Sequence, residues 1–398
     1  MQQICSLTLE DLKERLALIG EKPFRAVQIF DWIHVKGATS FDEMTNLSKD
    51  SRAKLTAHFA FPAIKLIKTM ESEDGETIKF LWELRDGKKV ESVLIMSGDR
   101  RTVCVSCQVG CPARCAFCAS GKEGLMRNLS PAEIVEQALH INRFLLTRQS
   151  NLRQRTLARQ SQIEAKRFEG RGHSKTMADD GESIWQSRSK SFVSNLTGGL
   201  IEPKEERVSH IVFMGMGEPL ENYDAVVKSI QILHDPNGCN ISQRRITVST
   251  VGVVEGIHKL AKEELKVNLV LSLHAPNQNI RKKIIPYARK YPLEEILMAM
   301  DGYSRDTKRD ITYEYTLLAN INDHPAHAEE LAELVRGKQC TVNLIPYNPV
   351  DGLRLRRPEK EAIEDFRAIL ENAGINTTWR YTKGKDIAAA CGQLALHK

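Results

Sequence analysis

The chain has 398 residues, of which 41% are hydrophobic and 27% charged, and it carries 57 basic against 51 acidic side chains. This composition excludes a wholly disordered, collagen-like or coiled-coil protein, and no apolar run approaches the ~18 residues of a membrane span. The net charge of +6 is compatible with a polyanionic partner but is weak evidence for one.

Residues 1–70 are predicted to form a small helical domain. They begin MQQICSLTLEDLKERL, which lacks the basic and apolar regions of a secretory signal, so we expect a cytoplasmic protein. Apolar residues recur at helical spacing at Leu12 and Leu16, and again from Phe24 to Ile33.

A β-hairpin and an α/β domain are predicted to follow. The hairpin, at 71–100, is indicated by Asp86-Gly87 between the alternating runs TIKFLWEL and KKVESVLIM. Within 101–398, strands rich in Val, Ile and Leu alternate with amphipathic helices, from TVCVSCQV to INTTWRY. This alternation predicts a parallel sheet covered by helices. We infer a partial (β/α)6 barrel, with an open doubly wound sheet as the alternative.

One segment interrupts the alternation. A helix predicted to start at Ser130-Pro131, with a capping box completed by Glu133, continues to about Leu145. The residues that follow, about 147–206, are polar, basic and only weakly periodic. A loop of this length is usually functional or disordered, so we expect a flexible, solvated insertion, with RNA contact as the alternative.

Five of the nine cysteines lie within fifteen residues: Cys104, Cys107, Cys111, Cys115 and Cys118. In a reducing compartment such a cluster is more often a metal site or a catalyst than a disulfide framework. The spacing Cys111-xxx-Cys115-xx-Cys118 provides three thiolates for a four-iron cubane and leaves one iron with an open position. Zinc remains open as well, because Cys104 or Cys107 could complete a four-ligand site.

Candidate ligand-binding residues also lie at or just after the carboxyl ends of several predicted strands, where active sites of parallel β/α sheets lie. They are Gly217, Glu218, Ser249, Ser272, Leu273, His274 and Asn348. The glycine-rich turn GMGEP allows the backbone to approach a ligand, and Glu218 can hold an ammonium group. Each residue alone is typical of an ordinary strand end, but their common rim predicts a binding site.

The cysteine spacing, placed after the first barrel strand, resembles that of radical S-adenosylmethionine (SAM) enzymes. A closer resemblance covers about 10–395, apart from 147–206. It rests on FRAVQIFDWI, CVSCQVGCPARCAFC, GLMRNLSPAEI, FMGMGEPLENYD, VNLVLSLHAPN, VNLIPYNP and DIAAACGQL, in this order. These strings resemble the RlmN/Cfr family of radical SAM RNA methyltransferases. The resemblance implies a [4Fe-4S] cluster and SAM as cofactors.

The resemblance further implies a role for each site residue. The implied cluster ligands are Cys111, Cys115 and Cys118, and the implied SAM-binding residues are Gly217, Glu218, Ser249, Ser272, Leu273, His274 and Asn348. Cys391 would be methylated by one SAM, and a radical from a second SAM would abstract hydrogen from that methyl group. The carbon radical would add to adenine C2, and Cys104 would release the RNA by forming a disulfide with Cys391. Glu91 would be the proton acceptor.

Without the resemblance, Cys391 would indicate only an inert tail thiol and Glu91 an exposed hairpin carboxylate. With it, the implied substrates are 23S rRNA at the peptidyl transferase centre and the adenine 3′ of the tRNA anticodon. A flavodoxin-like reductase system would supply electrons. The N-terminal domain would dock RNA, and we expect a monomer without membrane contact.

The resemblance also leaves alternatives. C8-specific Cfr-like enzymes share the cluster and both cysteines, so C8 methylation of rRNA is the alternative reaction. Cys107 stands where the family has serine. From the residues alone, a zinc-stabilised RNA-binding module and an iron–sulfur electron carrier are the competing classes.

Overall fold

The computed structural model describes residues 1–169, 206–379 and 383–395. The chain divides into two compact units, one formed by Met1–Ile141 with Val208–Lys398 and the other by Asn142–Arg207. Within the described ranges, no helix is both long enough and apolar enough to span a membrane.

The described chain forms the following helices and strands. The helices are α1 (Leu9–Leu18), α2 (Arg25–His34), α3 (Lys49–His58), α4 (Pro131–Glu169), α5 (Tyr223–His234), α6 (Val254–Lys262), α7 (Gln278–Ile284), α8 (Leu293–Thr307), α9 (Pro325–Val335) and α10 (Lys360–Asn372). The strands are β1 (Gln2–Gln3), β2 (Phe59–Ala60), β3 (Ile64–Glu71), β4 (Thr77–Leu84), β5 (Lys89–Ser97), β6 (Arg100–Cys104), β7 (Gln108–Gly110), β8 (Leu125–Asn128), β9 (His210–Phe213), β10 (Ile246–Thr250), β11 (Asn268–Ser272), β12 (Ile311–Leu317), β13 (Cys340–Pro346) and β14 (Thr377–Trp379).

The N-terminal segment contains the predicted helices α1 and α2, together with α3. A capping box starts α1: the Thr8 hydroxyl accepts from the Asp11 amide, and the Asp11 carboxylate accepts from the Thr8 amide. The helix-spaced residues Leu12 and Leu16 are fully buried, as the periodicity predicts. The short strands β1 and β2 pair in parallel and form a separate small sheet.

The hairpin prediction is confirmed. Strands β4 and β5 pair antiparallel across Asp86-Gly87, and Gly87 has a φ of 77°, which glycine adopts without strain. A further strand, β3, pairs with β4, and β5 pairs with β6. The hairpin is therefore part of an antiparallel meander that extends one edge of the main sheet.

The main sheet has ten strands in the order β14-β13-β12-β11-β10-β9-β6-β5-β4-β3. From β6 to β14 the neighbours are parallel and follow chain order without reversal. When every crossover is right-handed and runs in the same direction, the connecting helices all lie on one face and the sheet curves. A doubly wound sheet instead needs a point at which the strand order reverses. The strand order confirms the partial barrel and contradicts the doubly wound alternative.

Two local predictions need correction. TVCVSCQV is two strands, because β6 ends at Cys104 and β7 pairs with β8 in a separate sheet. Helix α4 continues to Glu169, so the predicted loop is wrong over 147–169. This stretch is rich in the good helix formers Arg, Gln and Leu and has no glycine or proline before Gly170. The rest of the predicted insertion, 170–205, lies outside the described residues.

Candidate active site

Two neighbouring cavities open at the carboxyl ends of the parallel strands. The first, of about 130 Å³, we call the three-cysteine cavity because Cys111, Cys115 and Cys118 line it. The second, of about 410 Å³, we call the hairpin cavity because residues of β5 line one side. Cys118, Asn348 and Cys391 line both cavities.

Most of the predicted site residues meet here. Those lining the three-cysteine cavity are Cys111, Cys115, Cys118, Gly217, Glu218, Ser249, Ser272, His274, Asn348 and Cys391. Cys104 lines only the hairpin cavity. Leu273 and Glu91 line neither cavity, and both side chains are buried.

The cysteine loop is held by backbone contacts. At its start, Gly110 has a φ of 78°, and a Cβ there would lie 1.9 Å from the Gly124 carbonyl oxygen, so only glycine fits. The Ala116 amide donates to the Ile284 carbonyl at 2.8 Å, and the Ala119 amide donates to the Gly392 carbonyl at 2.7 Å. The loop is thus anchored to α7 and to the segment that carries Cys391.

The donor set of this loop fits an iron–sulfur cluster. Burial raises the pKa of the Cys111 thiol to about 12 and also raises those of Cys115 and Cys118, so a bound cation is needed to stabilise the thiolates. In the described ranges, no three His, Cys, Asp or Glu side chains are placed to hold a single metal ion. A cubane offers a separate iron to each cysteine, so its ligands need not share one point.

Glu218 is fixed by its neighbours on the cavity wall. Its two carboxylate oxygens accept from the Leu220 amide at 3.1 Å and the Val251 amide at 2.8 Å. Its own amide donates to Oε1 of Gln108 at 2.8 Å. Burial raises the pKa of Glu218 to about 7, which favours a cationic partner that would stabilise the carboxylate.

Gly217 explains the close approach of this turn to β7. Its φ is 113°, and a Cβ there would lie 2.7 Å from Cβ of Gln108 and 2.8 Å from Sγ of Cys107. The buried thiol of Cys107 donates to the Met216 carbonyl at 3.7 Å and lines neither cavity. Cys107 therefore packs under the turn and does not face the cysteine loop's cavity.

The opposite wall consists of strand ends. Hydroxyls of Ser249 and Ser272 lie 3.1 Å apart. Nδ1 of His274 accepts from the Thr316 amide at 2.9 Å, and burial lowers the pKa of His274 to about 3, so the ring is neutral with its proton on Nε2. Asn348 donates through Nδ2 to the Cys391 carbonyl at 3.2 Å, while its buried Oδ1 has no partner among the described residues. These polar groups remain available for a zwitterionic ligand such as SAM.

The residues of β5 and β6 that line the hairpin cavity alternate along each strand. On β5 it is lined by Val93, Ile95 and Ser97, and on β6 by Arg100, Thr102 and Cys104, in each case every second residue. Cys104 pairs with Val93 across the two strands, which places both on the same face. The segment Ala389–Leu394, which includes Cys391, closes the other side.

Glu91 and Lys79 tie the hairpin to that segment. Both side chains are buried, and Lys79 Nζ lies 3.0 Å from Oε1 of Glu91. Lys79 also donates to the Ala388 carbonyl at 3.2 Å, and Oε2 of Glu91 accepts from the Ala395 amide at 3.0 Å. The expectation from the residues alone, that Glu91 is an exposed hairpin carboxylate, is therefore wrong.

Several residues that build the site were not predicted from the sequence. The amide oxygen of Gln108 accepts from the Glu218 amide, Lys79 pairs with Glu91, and the buried Arg281 donates to strand-end carbonyls. Lys79 could have been found by strand alternation, since residues at 79 and 81 face the same side as their partners Val93 and Glu91. Arg281 had no such signal, because α7 was not predicted.

Known proteins share sequence and fold with this chain. Residues 2–60 match the family model of the ribosomal RNA large subunit methyltransferase N-terminal domain. A "probable dual-specificity RNA methyltransferase RlmN 2" of Protochlamydia amoebophila is 58% identical over 389 residues, covering 98% of this chain and 93% of that protein. A "probable dual-specificity RNA methyltransferase RlmN" of Rhodopirellula baltica is 42% identical over 392 residues, covering 98% and 90%.

A solved structure is similar over the same length. The crystal structure of a radical SAM methyltransferase from Sphaerobacter thermophilus has a TM-score of 0.82 and 39% identity. The match covers 99% of each chain. The structural similarity therefore extends over the N-terminal segment and the main sheet, including the strands that line the two cavities.

Proposed function

The chain belongs to the RlmN family of radical SAM RNA methyltransferases, with SAM and a [4Fe-4S] cluster as cofactors, and from this premise we propose that it methylates C2 of adenine. The proposed substrates are 23S rRNA at the peptidyl transferase centre and tRNA at the adenine 3′ of the anticodon, in the cytoplasm. The observation that carries the proposal is that Cys391 lines both cavities while Cys104 lines only one.

The three-cysteine cavity suits the cofactors. Cys111, Cys115 and Cys118 would hold the cluster, and the polar wall described above would hold SAM, with Glu218 on its ammonium group. Leu273 would contribute through its backbone, since its side chain is fully buried away from the cavity. When bound, cluster and SAM supply a carbon radical, with electrons from an external reductase system of the flavodoxin-like class.

The hairpin cavity suits the target base. Adenine C2 is electron-poor, so transfer of an electrophilic methyl group fails there, whereas a carbon radical can add. We infer that the Cys391 thiol first loses its proton and takes a methyl group from one SAM. Loss of a hydrogen atom from that methyl group, with consumption of a second SAM, leaves a radical carbon on Cys391. Its addition to C2 joins RNA and protein.

Release of the RNA requires the second thiol. The adduct loses the proton on C2 to a base and also loses one electron. That electron returns to the electron-transfer system. The thiolate of Cys104 then attacks the sulfur of Cys391, the C–S electron pair leaves with the methylene carbon, and that carbon takes up a proton. The disulfide is reduced externally before the next turnover. Glu91 is our candidate proton acceptor, a role that requires one of its contacts, with Lys79 or Ala395, to open.

Isotope-resolved mass spectrometry tests this proposal. Anaerobically reconstituted protein is mixed with unmethylated 23S rRNA fragment, a reductant and SAM carrying a trideuterated methyl group. We expect 2-methyladenosine that retains two deuteriums, because one is lost when the radical forms. Retention of three would show direct transfer and overturn the mechanism, and 8-methyladenosine would replace the proposed position by C8. The Cys391→Ala protein is the control and should give no methylated base.

A further inference from the structure

Arg281 is a buried cation that donates to the carbonyls of Val251 and Ser272, two residues that line the three-cysteine cavity. It lies on α7, next to the carbonyl of Ile284 that anchors the cysteine loop, and its side chain has no exposed surface. The neighbouring basic residues Lys282 and Lys283 are exposed. A fully buried arginine is unusual, because removing a charge from water is costly unless another charge compensates it.

The bonds that Arg281 makes do not neutralise it. Its Nε donates to the Leu273 carbonyl at 3.1 Å, and its Nη2 donates to the carbonyls of Val251 at 2.7 Å and Ser272 at 3.2 Å. These acceptors belong to the ends of two adjacent strands, so the guanidinium holds the strand ends together. All of them are neutral, and the positive charge remains.

No anion within the described ranges forms an ion pair with this guanidinium. Nη1 is buried and has no hydrogen-bond partner there. Glu218 interacts with Arg281 electrostatically, yet both of its oxygens are used by backbone amides. With a pKa near 7 it is not fully ionised at neutral pH. The charge of Arg281 also interacts with the thiol of Cys115 and with the imidazole of His274, which burial keeps neutral.

We propose that Arg281 is a positioning residue for the iron–sulfur cluster, whose fixed positive charge stabilises the reduced cluster on Cys111, Cys115 and Cys118. This inference rests on the proposed function, which places the cluster on these cysteines. A four-iron core with two positive charges and three thiolates has one net negative charge, and one electron from the reductant adds a second without proton transfer. A buried cation nearby favours the more negative state, since burial weakens solvent screening.

A redox titration tests the role of the charge. Wild-type, Arg281→Met, Arg281→Lys and Lys282→Met proteins are reconstituted, and the cluster is titrated with dithionite while reduction is followed by EPR. For Arg281→Met we expect the reduced-to-oxidised ratio at a fixed potential to fall at least tenfold, which equals about 59 mV for one electron. Arg281→Lys should retain most of the wild-type potential. Lys282→Met, which removes an exposed charge from the same helix, should leave it unchanged.

Each outcome supports or overturns the proposal. Equal potentials in wild type and Arg281→Met, or equal shifts in Arg281→Met and Arg281→Lys, would overturn it. If Arg281→Met does not fold, Arg281→Gln replaces it, because its amide can still donate to the strand-end carbonyls. Failure of both neutral variants to fold without iron, judged by circular dichroism, would assign the charge to folding and overturn the proposal. Wild-type protein that binds no iron would instead contradict the proposed cluster site.

Discussion

The two cavities on either side of Cys391 are built in different ways. The walls of the three-cysteine cavity come from strand ends and loops of different βα units, and its polar side chains are held by backbone groups, as Glu218 and His274 illustrate. The hairpin cavity is lined by alternate residues along two strands, with Cys104 at the end of one. Its remaining wall is the segment around Cys391.

This difference separates the parts by function. Strand ends converge on a point and can hold a small polar ligand from several directions, whereas a strand face offers a wide, largely apolar surface for a flat base. Cys391 lies where both requirements meet. We therefore expect substitutions on the two sides to fail at different steps of the reaction, and the predictions below test that separation in order of decreasing effect.

The two reactive cysteines should have the largest and most distinct effects. Cys391→Ala removes the sulfur atom that we propose carries the methyl group, so it should abolish both RNA adduct and methylated product, with the iron content unchanged. Cys104→Ala should allow the adduct to form but not to resolve, so a covalent RNA–protein species accumulates. Denaturing gel electrophoresis with labelled RNA distinguishes the two results. A Cys104→Ala protein that consumes SAM on RNA yet migrates only as free protein would contradict the assigned role of Cys104.

A substitution on the ligand-binding side should weaken SAM binding without trapping RNA. Glu218→Gln removes a charged partner for the ammonium group of SAM. It also places the new side-chain NH2 group against a backbone N–H of Leu220 or Val251, so two donors face each other. Loss of a hydrogen bond to a charged group costs about 1.5–3 kcal/mol, so we expect the Kd for SAM to rise at least about tenfold. Anaerobic calorimetry measures it. The matched control is Glu221→Gln on the same turn, where the side chain is partly exposed; equal effects in both variants would remove the special role of Glu218.

The smallest expected effect is a pH dependence of stability on the ligand-binding side. The folded pKa of His274 is about 3 and its unfolded value about 6.5, so the stabilising contribution is complete above pH 6.5 and is lost as the pH falls towards 3. His274 adds at most about 1.4 kcal/mol per pH unit to the slope of the free energy of unfolding against pH. His274→Gln should therefore flatten the decline in the free energy of unfolding between pH 6 and pH 4 in metal-free protein, measured with urea. His258→Gln, an exposed control on α6, should leave this decline unchanged. Equal slopes for wild type, His274→Gln and His258→Gln would refute the expectation.

Elements with a clear period were predicted well from the sequence. The hairpin across Asp86-Gly87 pairs as its alternating runs predict, and the strand ends predicted to share a rim line one cavity, apart from Leu273. The rim could be predicted because parallel strands bring their carboxyl ends to one edge whatever the loops between them do.

Other parts depend on tertiary contacts that no local pattern encodes. Helix α7 has only seven residues and is stabilised by its Asn277 cap and by the contacts of Arg281, so its periodicity was too short to detect. The burial of Glu91 requires Lys79 on one strand and the Ala395 amide more than 300 residues away. Such long-range partners become visible only when the chain is folded.

The long-range ties between the hairpin and the Cys391 segment determine when the site is completed. Glu91 with Ala395 and Lys79 with Ala388 span 304 and 309 residues, and the Glu73 amide reaches Asp386 over 313. Because a ribosome makes the chain in order, the reactive thiol emerges after the cysteine loop and every strand end that faces it. Closing a loop of this length has a high entropic cost, so we expect these contacts to form late in folding. A chain that has emerged only as far as Asn348 contains the proposed cofactor wall but lacks Cys391, the proposed methyl acceptor, so the proposed radical chemistry has to wait for the Cys391 segment.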